Sequence, residues 1–446
     1  MKLKLNLQTR AFWDDLQSSL WFRPFVITLL SIAISLSSTR LERYLDLPPL
    51  LNTSADNARA ILTAIASSML TVTSVTFSIV MVALALASQQ FSPRTLRGFM
   101  GDQATQSVLG IFIGAFLYSM IVLGSISERD ERTFIPVFST LIALGFALLS
   151  VTVFIYFINH IAKKIHVNDI VATIANDTEE LLHETYQDNF IKSQPRFDRV
   201  EDPDLETTKK VWAHKTGYLQ GIDLQDLLQV AQTSQAVFHL HGHVGDFIVK
   251  GSTLLTIHTS APLPKKLPET LARDFDIGHE RTQFADVLFG MRQLVDIALK
   301  AISPAVNDPT TAINCLDYLH SILIQAIRYP ELPTSYYDEA KQLRLIAPRV
   351  TFADMLNLAF DQIRQYSTKD VAVTLHLLDI LIALANDNDK KDKEKRNALL
   401  LGQAESIRSG AEEGISIAAD RHSVNQRLQQ LNKLLGQTSP ITLLAV

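Results

Sequence analysis

Apolar residues crowd into the first third of the chain. From Phe25 to Ile161 apolar and small hydroxyl side chains dominate, and most of the charge lies after Lys163. Lipid offers no hydrogen-bond partners to bare peptide groups, so a crossing segment must be a helix of about 20 mostly apolar residues or part of a closed barrel. Residues 24–41, 60–88, 107–126 and 134–161 predict four such helices, and no charge falls between Arg59 and Arg94. Barrel strands would show short alternating segments instead. The pattern predicts a polytopic α-helical membrane protein with four transmembrane helices. A soluble α+β C-terminal region follows, made of a small β-domain and then a helical domain.

The first apolar run begins too late for a signal peptide, and Arg40, Glu42 and Arg43 follow it directly, so it reads as a retained membrane helix. Orientation follows the flanking basic residues. With the N-terminus inside, Lys2, Lys4, Arg10, Arg23, Arg94, Arg97, Lys163 and Lys164 lie inside and outnumber Arg40, Arg43, Arg59, Arg129 and Arg132 outside. An even number of spans then places both termini in the cytoplasm, with the bilayer a bacterial inner membrane. Ser92-Pro93-Arg94 and Arg97, after the second span, read as topogenic charge or as contacts to lipid phosphates.

In the second predicted helix Thr63, Ser67, Thr71, Ser74 and Ser78 recur at helical spacing, forming one hydroxyl stripe. Such a stripe lines a pore in an oligomer, where hydroxyls replace part of an ion's hydration shell, or it marks a closely packed helix seam. No Asp, Glu, Lys or Arg sits mid-span, which argues against a proton relay or a charged substrate site. Gly110 and Gly114 form a GxxxG pair that permits close backbone approach.

Beyond the spans, residues 168–190 carry helical periodicity, and Pro195 and Pro203 mark a linker. Residues 211–258 alternate as β-structure, with Phe238, Leu240 and Val244 on one strand face. Gly245 and Gly251 frame a short run that reads as a tight hairpin. The run Gly245-Asp246 through Gly251 to Leu254 resembles the hairpin of biotinyl- and lipoyl-type barrel-sandwich domains over about fifty residues. The acceptor lysine of such carriers has no match, so the resemblance implies a fold and no prosthetic group. His239, His241 and His243 alternate, and a strand would align them as transition-metal ligands or as a polar outer face.

The densest polar patterning follows. Residues 281–302 read as one helix with Arg281 and Asp286 early and Arg292, Asp296 and Lys300 at successive four-residue steps, a ladder suited to an exposed helix or a subunit contact. Asn307-Asp308-Pro309 reads as a helix start, with Asp308 as cap, and its N-terminus could hold an anion. The run Arg281-Thr282, Asp286, Phe289-Gly290, Asp296 to Leu299 and Ala301 to Pro309, together with Ala87 to Arg94, resembles an uncharacterised bacterial family of predicted membrane proteins, domain of unknown function twenty-two fifty-four. The likeness spans nearly the whole chain and implies an inner-membrane location and this domain order, without catalytic residues. Residues 335–346, 351–366, 370–385 and 417–435 predict further helices, and the charged run 387–396 a solvated loop or a basic membrane contact. The expected division is an N-terminal segment 1–23, the membrane domain 24–166, a helix and linker 167–210, the β-domain 211–262 and the helical domain 263–446.

The chain has 446 residues, a hydrophobic fraction of 47% and a net charge of −5, which argues against a general nucleic-acid binder. Cys315 is the single cysteine, excluding a disulfide framework or a cysteine-rich metal site. No phosphate loop, nucleophile elbow, zinc helix or dinucleotide turn appears, so the reading is non-enzymatic and without cofactor. Two functions compete: a homo-oligomeric channel gated by the cytosolic region, and a non-conducting membrane-anchored sensor or scaffold. An enzyme built on Arg281, Asp286 and Asp296 stands third.

Overall fold

The structure is a computed structural model that describes residues 16, 19–45, 54–90, 94, 99–129, 132–164, 166–187, 207–260, 262–283, 285–388, 393–436 and 441–445. Lys2, Lys4, Arg10, Ser92-Pro93, Arg97 and the linker prolines lie outside the described residues. The chain divides into two compact units, one ending at Asp169 and one running from Ile170 onward.

The first unit holds four helices long and apolar enough to cross a membrane. They are α1 (Phe22–Leu45), α2 (Ala55–Gln90), α3 (Gln103–Ser125) and α4 (Val137–Lys164), with a small hairpin of β1 (Ser127–Arg129) and β2 (Arg132–Phe134) between the last two. At 1.5 Å per residue the 36 residues of α2 extend about 54 Å, well past the roughly 30 Å of hydrocarbon. The third span is the hub: half of its apolar window is buried, against 17–28% in the others. Its two glycines explain the packing. A Cβ on Gly110 would come 2.9 Å from Ile27 and 3.0 Å from Pro24, and one on Gly114 would collide with Ser31 Oγ. These are close parallel approaches of α1 and α3, the use of GxxxG that the spacing predicts. Leu62, Ile65 and Met69 of α2 pack with Tyr118 and Ala143, and Val80 and Ala83 pack with Phe112 and Phe157. The end of α1 meets the start of α4 and the start of α3 meets the end of α4 (Glu42 with Phe138, Asp102 with His160), so the chain enters and leaves this bundle at one end.

The boundary falls in the first turn of α5 (Val167–Gln187), most of which belongs to the second unit. Then come β3 (Thr207–Trp212), β4 (Gly217–Ile222), α6 (Leu224–Thr233), β5 (Val237–Leu240), β6 (Phe247–Ile248), β7 (Thr253–Thr259), α7 (Leu267–Leu271) and β8 (Phe275–Gly278). Next are α8 (Val287–Ala301), α9 (Pro309–Arg328), β9 (Ser335–Tyr337) and β10 (Leu343–Ile346). The chain ends with α10 (Phe352–Tyr366), α11 (Val371–Asn386), α12 (Lys393–Gly414) and α13 (Ala418–Leu435).

Two sheets, ordered β3-β7-β5-β10-β9 and β6-β4-β8, share one core in which Val211, Leu219, Leu227, Phe238, Leu255, Tyr336 and Leu345 are fully or almost fully buried. Gly245 and Gly251 sit at φ +100 and +85, the left-handed turns the glycine pattern predicts. The sheets reach beyond residues 211–262, because β8, β9 and β10 come from later in the chain. Residues 335–346, predicted helical, instead form the β9–β10 hairpin, and β10 pairs in parallel with β5 through Leu345 and Phe238. That pairing covers the edge of β5, a long-range gain that local periodicity does not carry. Val244 falls outside any strand, and α6 interrupts the predicted β-run behind its cap Asp223.

The remaining helices pack on one another, α8 against α9 and α10, and α11 against α9, α12 and α13. A Cβ on Gly290 of α8 would collide with Thr178 of α5, so that glycine lets the two helices touch. The charged run is not a free loop at its described positions. Asp387 pairs with Arg328 at 2.6 Å. Arg396, on the first turns of α12, is only 2% exposed and donates to the carbonyls of Ile327 and Tyr329 at the end of α9. A guanidinium there satisfies carbonyls left open by the helix terminus.

Candidate functional site

The hydroxyl stripe of α2 faces away from the other spans. Thr63, Ser67, Thr71, Ser74 and Ser78 are all exposed, while Leu62, Ile65, Ala66, Met69 and Val80 on the opposite face are buried. A helix seam within this chain therefore does not account for the stripe. The helix itself satisfies part of it: Thr71 Oγ1 donates to Ser67 O at 3.0 Å and Ser78 Oγ to Ser74 O at 2.9 Å. Such back-bonding lets a hydroxyl sit in an apolar or a wet surrounding at little cost.

Two polar clusters, one buried and one partly buried, brace opposite ends of the bundle. At one end Glu42, 7% exposed, accepts from the N–H groups of Phe138 at 2.7 Å and Ser139 at 3.0 Å and from Ser139 Oγ at 2.9 Å. A carboxylate there caps α4 and complements the positive end of its dipole. Ser38 Oγ and Tyr118 Oη lie 3.1 Å apart, and Tyr118 donates to Ser139 O at 3.1 Å. At the other end Asp102 caps α3, accepting from Thr105 N at 2.8 Å, and lies 2.9 Å from His160 Nε2 and 3.3 Å from Lys164 Nζ. Burial pushes the Asp102 carboxyl up, but the Thr105 hydrogen bonds and the Lys164 charge outweigh it and hold it below the usual carboxylate range. In the sequence Glu42 reads only as a flanking charge, and Asp102 is not among the candidate residues. Its signal was Asp102-x-x-Thr105 at the head of an apolar run.

In the second unit Arg281 and Asp286 meet as an ion pair. Arg281 Nε donates to Asp286 Oδ2 at 2.8 Å and Nη2 to Oδ1 at 2.8 Å, and Asp286 Oδ1 accepts from Phe289 N at 3.0 Å. Helix α8 therefore starts at Val287 with Asp286 as cap, and Arg281 lies before it rather than within it. Burial pushes the Asp286 carboxyl up, with Arg281 and the Phe289 N–H opposing. Gly245 closes over the pair, where a Cβ would come 2.6 Å from Asp286 Oδ2. Arg292 and Asp296 pair at 2.8 Å along α8 and are mostly covered, whereas Lys300 of the same ladder is exposed.

Asp308 caps α9 as predicted, accepting from Thr311 N at 3.1 Å with Pro309 in the first turn, and Asn307 precedes it at φ 50. Hydrogen bonds from Thr311 hold the Asp308 carboxyl low. The three histidines are divided. Strand β5 ends at Leu240, so only His239 is on it. His239 and His241 stack at 5.0 Å, His241 Nε2 lies 2.6 Å from Thr256 Oγ1, and His243 turns to Val244 O and Asp246. Among the described residues no group of three His, Cys, Asp or Glu is placed to hold a metal. Burial pushes the Cys315 thiol up to about 12, so it is no thiolate nucleophile at neutral pH.

Four apolar helices followed by a soluble α+β region define a polytopic membrane protein. The chain belongs to the family described as Predicted membrane protein (DUF2254), which matches residues 17–383. An uncharacterised protein of Mycobacterium bovis is 32% identical over 390 residues, covering 85% of this chain and 74% of its own. An uncharacterised protein of Mycobacterium tuberculosis shows the same identity and coverage. No solved structure matches.

Proposed function

We propose that the chain is a homo-oligomeric channel or pore of a bacterial inner membrane, with both termini cytoplasmic and the soluble unit, of barrel-sandwich type in its β region, serving as gate or regulator. The reading rests on one observation: the five hydroxyls of α2 point away from the spans of their own chain. A polar stripe on a lipid-facing surface gains nothing, whereas the same stripe against copies of itself provides a seam or lines a water-filled path. Arg281 and Asp286 pair with each other. Purified protein in liposomes should pass ions or small solutes, and Ser67→Leu, Thr71→Leu or Ser74→Leu should cut the flux at least about tenfold while preserving assembly. Absence of flux across a broad ion panel and a range of membrane tensions would overturn the channel.

The second reading is a non-conducting sensor or scaffold. It is favoured by the back-bonding of Thr71 and Ser78, which leaves those hydroxyls satisfied in a dry helix seam. Under that reading the leucine variants change assembly, and no variant changes a flux.

A further inference from the structure

Two connections form one end of the β region. Residues 213–216 join β3 to β4, and residues 249–252 join β6 to β7. They are hydrogen-bonded to one another: Gly251 N–H donates to Ala213 O at 2.9 Å, Ala213 N–H to Ser252 O at 2.9 Å, and Lys250 N–H to Thr216 Oγ1 at 2.9 Å. With Gly251 in a left-handed turn, this end is preformed rather than loose.

Its surface is apolar and cationic together. Trp212 closes β3 and is 49% exposed; Phe247 and Val249, leading into the turn, are 57% and 55% exposed. Lys210 Nζ stands 5.7 Å from the Trp212 ring centre, and Lys215 and Lys250 are exposed in the two connections. None of the three lysines is within ion-pair distance of a carboxylate among the described residues, and Asp276, which feels the charge of Lys215, is half-buried. In a chain of net charge −5 this is a local excess of positive charge beside bare aromatic surface. That combination is what a bilayer interface rewards: tryptophan seats at headgroup depth, apolar side chains enter the acyl boundary, and lysines meet anionic lipid.

We propose that this end of the β region docks on anionic phospholipid headgroups. The charge complements such a surface, and the four apolar helices of the same chain hold the β region to a bilayer at high effective concentration, so modest affinity suffices. The inference is independent of whether the chain conducts.

The test uses the full chain with Trp13→Phe and Trp21→Phe, which leaves Trp212 as the one tryptophan of the three. In proteoliposomes containing phosphatidylglycerol and a bromine-labelled lipid, Trp212 emission should be quenched by the bromines and shielded from aqueous iodide. Both effects should vanish in purely zwitterionic vesicles. They should vanish as well at about 1 M salt, where the screening length falls to about 3 Å, and this arm needs no further variant. Lys210→Gln, Lys215→Gln and Lys250→Gln together should abolish the quenching with near-ultraviolet dichroism unchanged. Trp212 that stays equally open to iodide in every lipid composition would overturn the proposal. So would shielding that persists in detergent and rises with protein concentration, since that identifies a protein partner.

Discussion

Ser139 donates to Glu42 twice, through its backbone N–H at 3.0 Å and its hydroxyl at 2.9 Å, and so ties the end of the first span to the start of the fourth. Glu42→Ala leaves these donors and the Phe138 N–H without their acceptor in a poorly hydrated place. The expected loss is about 2–4 kcal/mol of stability, read as a lowered midpoint of unfolding in detergent. Glu42→Gln keeps an acceptor oxygen and should lose less than half as much.

A Cβ at Gly114 would meet the Ser31 side chain, so a large side chain there drives α1 from α3. Gly114→Leu should disrupt that packing and lower the detergent unfolding midpoint by more than Gly124→Leu, because a Cβ at Gly124 meets nothing within 4 Å. Equal effects of the two would contradict the parallel α1–α3 contact.

Gly245→Ala combines a backbone at φ +100 with a Cβ aimed at the Arg281–Asp286 pair. It should cost about 2–4 kcal/mol, more than a φ penalty alone. Asp286→Ala strands a largely covered guanidinium and removes the cap of α8, at about 3–5 kcal/mol. Chemical denaturation of the two variants should show the same weakened unit, and a double variant should lose less than the sum.

Asp274 carries the clearest pH signature. Burial, then the neighbouring Asp226 and Asp223 charges, push its carboxyl from 3.8 up to about 7. The folded state therefore holds this proton up to about pH 7, whereas the unfolded chain releases it near 3.8. Stability is full below the lower value and falls as pH rises through the higher one. Discounted for the solvent-exposed part of the group, the loss is on the order of 1 kcal/mol. Asp274→Asn should flatten the stability profile between pH 4 and 7, as followed by equilibrium denaturation.

The spans were legible because hydrocarbon forbids charge, and an uncharged run such as Ile61–Gln89 has no other comfortable conformation. The cap at Asp308-Pro309 was legible because it bonds within one turn, as Asp308 does with Thr311. What failed depended on distant partners. Leu345 is in a strand because Phe238, more than a hundred residues earlier, offers an open edge. The inward face of helix α12 mixes Leu400, Ala404, Ile407 and Ala411 with Arg396, Asn397 and Gln403, whose partners Tyr329, Asn388 and Asn357 lie elsewhere in the chain, so its apolar periodicity is diluted. Arg281 and Asp286 stood out by composition, but only the fold reveals that each already holds the other. The stripe of α2 was visible as a periodicity, and its direction was not, since a helix carries no label for which side its neighbours occupy.

That direction is the centre of the account, and the arrangement of subunits in the particle extracted from membranes tests it most directly. Imaging of the purified assembly should show a closed ring of copies with α2 nearest the axis and Ser67, Thr71 and Ser74 facing it. A monomer, or a dimer in which those hydroxyls meet only lipid or a sealed seam with no axial path, would contradict it.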